Sequence, residues 1–215
     1  MKTQTKRNLV NALVAGSLAN QVQAADISGT AAAYYDTRGF PTTTVKIFGS
    51  DLPGKTDFFG FVDSFGSKEK PTGIDSYGEF KLSKRLWGGI GPAVEYNRDF
   101  SVPSGVTRAG LVFQPDLHIK NGFAGVTFYP LSTYENGMQL VLCGKKEFKE
   151  GRYYVDGFLD LNFKPQGVVP LGKVELGMRL GDKKSLWYGV AEGRHDGFTK
   201  GSQQWSVGLG IKRRF

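Results

Sequence analysis

The chain has 215 residues, 30 of them Gly, with 13% aromatic and 22% charged residues, one Cys and a formal charge of +8. That content excludes a disordered chain, a disulfide-stapled scaffold and a Cys/His metal scaffold. No run of eighteen apolar residues occurs, which excludes a mature transmembrane helix and leaves open a membrane protein that crosses with strands.

The amino terminus reads as a secretory signal peptide over 1–24, followed by a single domain over 25–215. Lys2, Lys6 and Arg7 make a basic start, residues 9–19 are short and mostly apolar, and Val22-Gln23-Ala24 offers a cleavage site. The alternative is an amphipathic helix retained on a cytosolic protein, which the polar Asn8, Asn11 and Ser17 favour. Removing the leader leaves 25 Lys and Arg against 20 Asp and Glu, an excess too small to indicate nucleic-acid binding.

Beyond the leader the chain repeats one pattern. Strands are predicted over 27–36, 42–49, 56–65, 74–83, 88–99, 105–119, 123–130, 137–148, 152–164, 172–181, 185–195 and 202–215, twelve in all, with eight or ten possible if a long hairpin is split. Strict alternation is clearest late in the chain. Over 153–163, Tyr153, Val155, Gly157, Leu159, Leu161 and Phe163 share one face, and Tyr154, Asp156, Phe158, Asp160 and Asn162 the other. Over 174–180 the apolar set is Val174, Leu176, Met178 and Leu180; over 205–211 it is Trp205, Val207, Leu209 and Ile211.

A soluble sandwich would also alternate, and three features favour a closed antiparallel transmembrane β-barrel. Phe215 ends the chain in phase with Trp205, Val207, Leu209 and Ile211, so that two aromatics bracket an apolar face about one crossing long. This resembles the carboxy-terminal assembly signature of bacterial outer-membrane proteins, which implies the barrel-assembly machinery and outer-membrane lipid as partners. A leader delivers such a chain to the periplasm, yet Cys143 has no partner for a disulfide and reads as an ordinary strand residue. Turn spacing supplies the third. Short turns are expected after even strands, at Asn121-Gly122, Lys149-Glu150-Gly151 and Asp182-Lys183-Lys184, and longer loops after odd ones, over 66–73, 165–171 and 196–201.

Charges are tolerated in the lumen and penalised against lipid, so the inward face is expected to carry the function. Placing Asp57 and Asp63 inside puts Phe59 and Phe61 between them; a slip of one residue would put both acids in lipid. Tyr77, Glu79 and Lys81 follow, with Asp75 before them, then Glu95, Asn97 and Asp99. Those three strands carry six acids and one base. Lys173, Arg179, Lys212 and Arg214, with Glu175, would face them, and Asp156 and Phe158 line the lumen between. Opposed walls of this kind set up a transverse field that orients dipolar solutes. The competing reading is a plugged interior in which facing charges neutralise one another.

The stretch Asp57-Phe58-Phe59-Gly60-Phe61-Val62-Asp63, then Tyr77-Gly78-Glu79-Phe80-Lys81-Leu82-Ser83, Glu95-Tyr96-Asn97 and the terminal Phe215 together resemble the nucleoside-specific channel (Tsx-like) family of outer-membrane proteins. The likeness covers about residues 56–100 and the terminus. It implies a narrow twelve-stranded barrel passing nucleosides, with outer loops trimmed because this chain is short for the family. Phe59 and Phe61 would stack on a base while carboxylates accept hydrogen bonds from ribose. A channel for anionic solutes such as acidic oligosaccharides and a structural or adhesive barrel are the alternatives. An outer-membrane hydrolase is disfavoured: His118 and His195 lie far apart, adjacent residues such as His195 and Asp196 point to opposite faces of a strand, and no Ser-centred nucleophile motif occurs. No cofactor, metal site or catalytic residue is assigned.

Overall fold

A computed structural model describes residues 26–39, 41–66, 74–100, 103–115, 117–133, 137–198 and 204–215. The predicted signal peptide lies outside the described residues. Twelve strands run in order: β1 (Asp26–Asp36), β2 (Pro41–Leu52), β3 (Thr56–Gly66), β4 (Ile74–Lys84), β5 (Ile90–Asp99), β6 (Val106–Phe113), β7 (Gly122–Ser132), β8 (Met138–Phe148), β9 (Tyr153–Lys164), β10 (Gly167–Arg179), β11 (Trp187–Asp196) and β12 (Trp205–Arg214). Each pairs antiparallel with its sequence neighbours, and β1 pairs with β12 to close the ring. The count matches the larger of the numbers the sequence allows.

Burial runs opposite to that of a water-soluble protein. Along β12, Trp205, Val207, Leu209 and Ile211 are all more than half exposed, whereas Ser206 and Lys212 are buried. Along β10, Val174, Leu176 and Met178 point out while Lys173 and Glu175 are enclosed, Glu175 completely. Apolar side chains that water would reject cover the outside, and charges fill the inside. This is the pattern of a barrel whose outer solvent is hydrocarbon, and closure leaves no strand edge unpaired there.

Two expectations about connections need correction. The parity of loop lengths holds only in part: the strand bounds leave long connections after β3 and β11 as expected, but β9 and β10 are joined by only Pro165 and Gln166, and seven residues separate β10 from β11 where a tight turn at 182–184 was expected. On the terminus side, β6 stops at Phe113 rather than 119, so eight residues lead to β7. Pro115 breaks ladder pairing there, and His118 and Asn121 adopt positive φ (51° and 56°). Asn121-Gly122 is thus the end of a longer loop and not a hairpin by itself. The β8–β9 turn is tight as expected, with Lys149, Glu150 and Gly151 all at positive φ. Its Glu150 accepts a 2.6 Å bond from Lys183 of the neighbouring turn, which holds the exposed carboxyl below its usual range.

The seam is held at its end by Phe215. Its amide donates to Gly29 O at 3.0 Å, and the Gly29 amide donates to Phe215 O at 2.9 Å. The ring lies across Gly29 so closely that a Cβ there would sit 2.3 Å from the ring edge. Gly29→Val should therefore lower the fraction of heat-modifiable, folded barrel, and Phe215→Ala should do so by about 1–2 kcal/mol. The double variant should lose less than the two singles combined; strict additivity would show that the ring does not use the Gly29 notch.

Candidate functional site

Alternation along β3 sends Asp57, Phe59, Phe61 and Asp63 into the lumen. Phe58 points out and stacks on outward Phe80, ring centroids 6.4 Å apart. Inside, four rings form a ladder over β2–β4: Phe48 to Phe59 at 5.2 Å, Phe59 to Phe61 at 5.8 Å, and Phe61 to Tyr77 at 5.8 Å. All three pairs are tilted, a favourable aromatic geometry. Phe48 was absent from the sequence candidates. Its signal lay in Thr42, Thr44, Lys46 and Phe48 alternating with Thr43, Val45 and Ile47, which assigns the ring to the polar face.

The remaining expected wall residues also face inward. Glu79, Glu95 and Asn97 follow the ladder on β4 and β5, and Asp156 and Phe158 stand on β9, with Phe158 opposite Lys173 and Cys143. Arg179 differs from expectation. Its guanidinium donates to the carbonyls of Lys183 (2.8 Å) and Glu150 (3.2 Å) and to Tyr188 Oη (3.2 Å), so it ties down the terminus-side turns.

The two expected walls do not pair with each other; each is compensated by residues outside the opposing set. Asp63 of β3 accepts from Thr44 at 2.6 Å and, across the lumen, pairs with Arg194 of β11 at 3.1 Å. Glu95 pairs with Arg108 at 3.0 Å, and Asp57 with Arg85 at 2.7 Å near the terminus-side mouth. Arg214 of β12 reaches Glu147 of β8 at 2.9 Å. Glu175 is a hub: Tyr34 and Tyr154 each donate to it at 2.5 Å, Lys212 pairs with it, and Lys173 lies 3.6 Å away while also pairing with Glu192. Tyr154 attains this position because Gly177 leaves room for its ring, which a Cβ would meet at 1.9 Å. Arg194 and Glu192 are hard to place from sequence because β11 alternates them with Gly189, Ala191 and Gly193, too small to register as an apolar face.

These pairs act as chords across the ring. Arg194–Asp63 spans β12, β1 and β2, and Arg214–Glu147 spans β9–β11. The aromatic ladder flanks the first chord. A cavity of about 490 Å³ lies elsewhere, beneath the β6–β7 connection between Arg85, His118 and Phe123, and shares no residue with the ladder. His195 faces outward against Trp205, ring centroids 4.4 Å apart, at the opposite end of the barrel from the loop carrying His118. Asp63→Asn should destabilise the folded barrel by about 2 kcal/mol in urea titration, by leaving Arg194 with only its longer, 3.6 Å pairing to Glu192. Adding Arg194→Gln should recover part of that loss; no recovery would count against a direct pair.

No family model matches the chain, and no curated protein matches it. Solved structures do. The KdgM porin in complex with disordered oligogalacturonate shares 14% identity at a TM-score of 0.55, and the KdgM porin shares 12% at 0.57; each match covers 87% of this chain and 99% of that one. At such identities the likeness concerns the fold, a closed antiparallel barrel of porin type.

Proposed function

We propose that this protein is a narrow outer-membrane channel for small polar solutes, with nucleosides as the solute class. The observation that carries the reading is the ladder Phe48, Phe59, Phe61 and Tyr77, aromatic rings held inside a lumen otherwise lined by charged and polar groups. Aromatic rings facing a polar lumen offer a flat solute a stacking surface worth about 1–3 kcal/mol per base. Carboxylates further along the lumen wall accept hydrogen bonds from its sugar. The likeness of the Asp57–Asp63, Tyr77–Ser83 and Glu95–Asn97 stretches to the nucleoside-specific channels supports the same class. In this reading the leader exports the chain, Phe215 presents it to the barrel-assembly machinery, and outer-membrane lipid covers the apolar face.

A second reading is a channel for anionic solutes. Lys46, Lys173 and Lys212 lie within electrostatic reach of one another in the lumen, and a porin of the same fold has been captured with an acidic oligosaccharide. Catalysis finds less support, since the histidines sit on the outer surface and in a terminal-side loop.

Planar-bilayer recording separates these readings. Nucleosides should block the current, and Phe59→Ala with Phe61→Ala should weaken block by about one to a few kcal/mol while small-ion conductance persists or rises. Phe58→Ala should leave block unchanged, because that ring faces lipid. Asp57→Asn with Asp63→Asn should reduce cation preference in reversal-potential measurements. Block by acidic oligosaccharides without block by nucleosides would favour the second reading, and absence of any conductance would contradict both.

A further inference from the structure

Three buried acceptors in the lumen lack donors. Asn97 Oδ1 on β5, Gln139 Oε1 on β8 and Asp160 Oδ1 on β9 have no hydrogen-bond partner, although their residues are only 8%, 5% and 8% exposed. None belongs to the aromatic ladder on β2–β4, and of the three only Asn97 is expected from sequence as a functional wall residue.

Gln139 and Asp160 are cross-strand neighbours, and Asp160 lies within electrostatic reach of Glu79 and Glu95, the two acids that flank Asn97. Gln139 stands opposite Asn162, and Asp160 is the next inward residue along β9, a diagonal cross-strand neighbour. Asp160 lies within electrostatic reach of Glu95, Arg108 and Lys81 from the far wall. Asn97 is the inward residue next to Glu95 and stands opposite Glu79. The cations here are engaged: Arg108 pairs with Glu95, and Lys81 donates to Thr127 at 2.6 Å. Tyr129, fully buried opposite Gln139, adds one unpartnered hydroxyl; the three free acceptors still outnumber it, and Glu79, Glu95 and Asp160 outnumber Lys81 and Arg108.

A buried acceptor is stabilised only when a donor reaches it, and a site built from such acceptors rejects a ligand that lacks the donor. The excess of carboxylates opposes an anion. We propose that Asn97, Gln139 and Asp160 form a hydroxyl-recognition site for an uncharged, polyhydroxylated ring, adjoining the stacking ladder through Glu79, which stands opposite both Phe61 and Asn97; in the nucleoside reading, on which this rests, it holds the ribose.

The test uses the full chain, folded in detergent for calorimetry and in planar bilayers for current block, with uridine, 2′,3′-dideoxyuridine and methyl β-ribofuranoside as probes. Uridine and its dideoxy counterpart share the base and differ only in hydroxyl donors. The site predicts binding about tenfold or more weaker for the dideoxy compound, and measurable binding of the methyl riboside. Asn97→Leu with Gln139→Leu should weaken uridine by a similar factor and leave the dideoxy compound unchanged. Gln139→Glu, which keeps an acceptor, should retain riboside binding. Equal binding of uridine and the dideoxy compound to the unmodified chain would overturn the proposal whether or not the variants fold, as would equal weakening of both by the double variant. Riboside binding without uridine block would remove the nucleoside reading and leave this site standing. Hydroxyl-dependent binding by calorimetry without any current would remove the channel reading alone, and no binding of any probe would remove the site.

Discussion

Backbone closure between β1 and β12 is the constraint from which the rest of this structure follows. Each unpaired N–H or C=O in hydrocarbon costs several kcal/mol, so a sheet crossing a membrane cannot keep an edge. The ring closes along Thr30 to Asp36 against Gly208 to Arg214 and is finished by the reciprocal Gly29 and Phe215 hydrogen bonds. Once closed, an alternating strand has only two environments to offer. Phe215, Ile211 and Leu209 take the lipid side, and Lys212 is committed to the lumen.

The lumen then becomes a place where charge has to be balanced by charge. Glu175 is wholly enclosed, and the cost of burying it is offset by Lys212, Lys173 and two tyrosine hydroxyls. Asp63 is satisfied from two directions, by Thr44 beside it and by Arg194 across the ring. Such pairs hold the wall in shape and narrow the opening at the same time. What they leave uncompensated, the aromatic ladder and the unpartnered acceptors near Asp160, is what the proposed function assigns to the solute.

Much of this was legible because a two-residue period is a direct readout of two solvents. The inward placement of Asp57, Phe59, Phe61 and Asp63 follows from the cost of acids in lipid, and the outward run from Trp205 to Phe215 follows from the same rule. Phe48 was legible too, but threonines on both faces of β2 hid its phase. Loop lengths were only partly legible: Pro165-Gln166 makes a two-residue turn from residues that read as an extended loop, and Pro115 ends β6 six residues earlier than periodicity indicates. Partner choice was the least accessible. Arg194 meets Asp63 because strand tilt and ring closure bring β11 opposite β3, a distance that one-dimensional spacing does not encode. Arg179 shows the same limit, since alternation gives its face and the turn carbonyls decide where its guanidinium ends.

The central claim is that β3 presents its odd-numbered residues to a solute-accessible lumen and its even-numbered residues to lipid. It is tested most directly by single-cysteine scanning of residues 56–65 in a Cys143→Ser background, using a small, charged, water-soluble thiol reagent on the reconstituted barrel. The account predicts modification at 57, 59, 61, 63 and 65 and protection at 58, 60 and 62, with the modified positions losing reactivity when a blocking solute is present. Reaction at the even positions with protection of the odd ones would contradict the account.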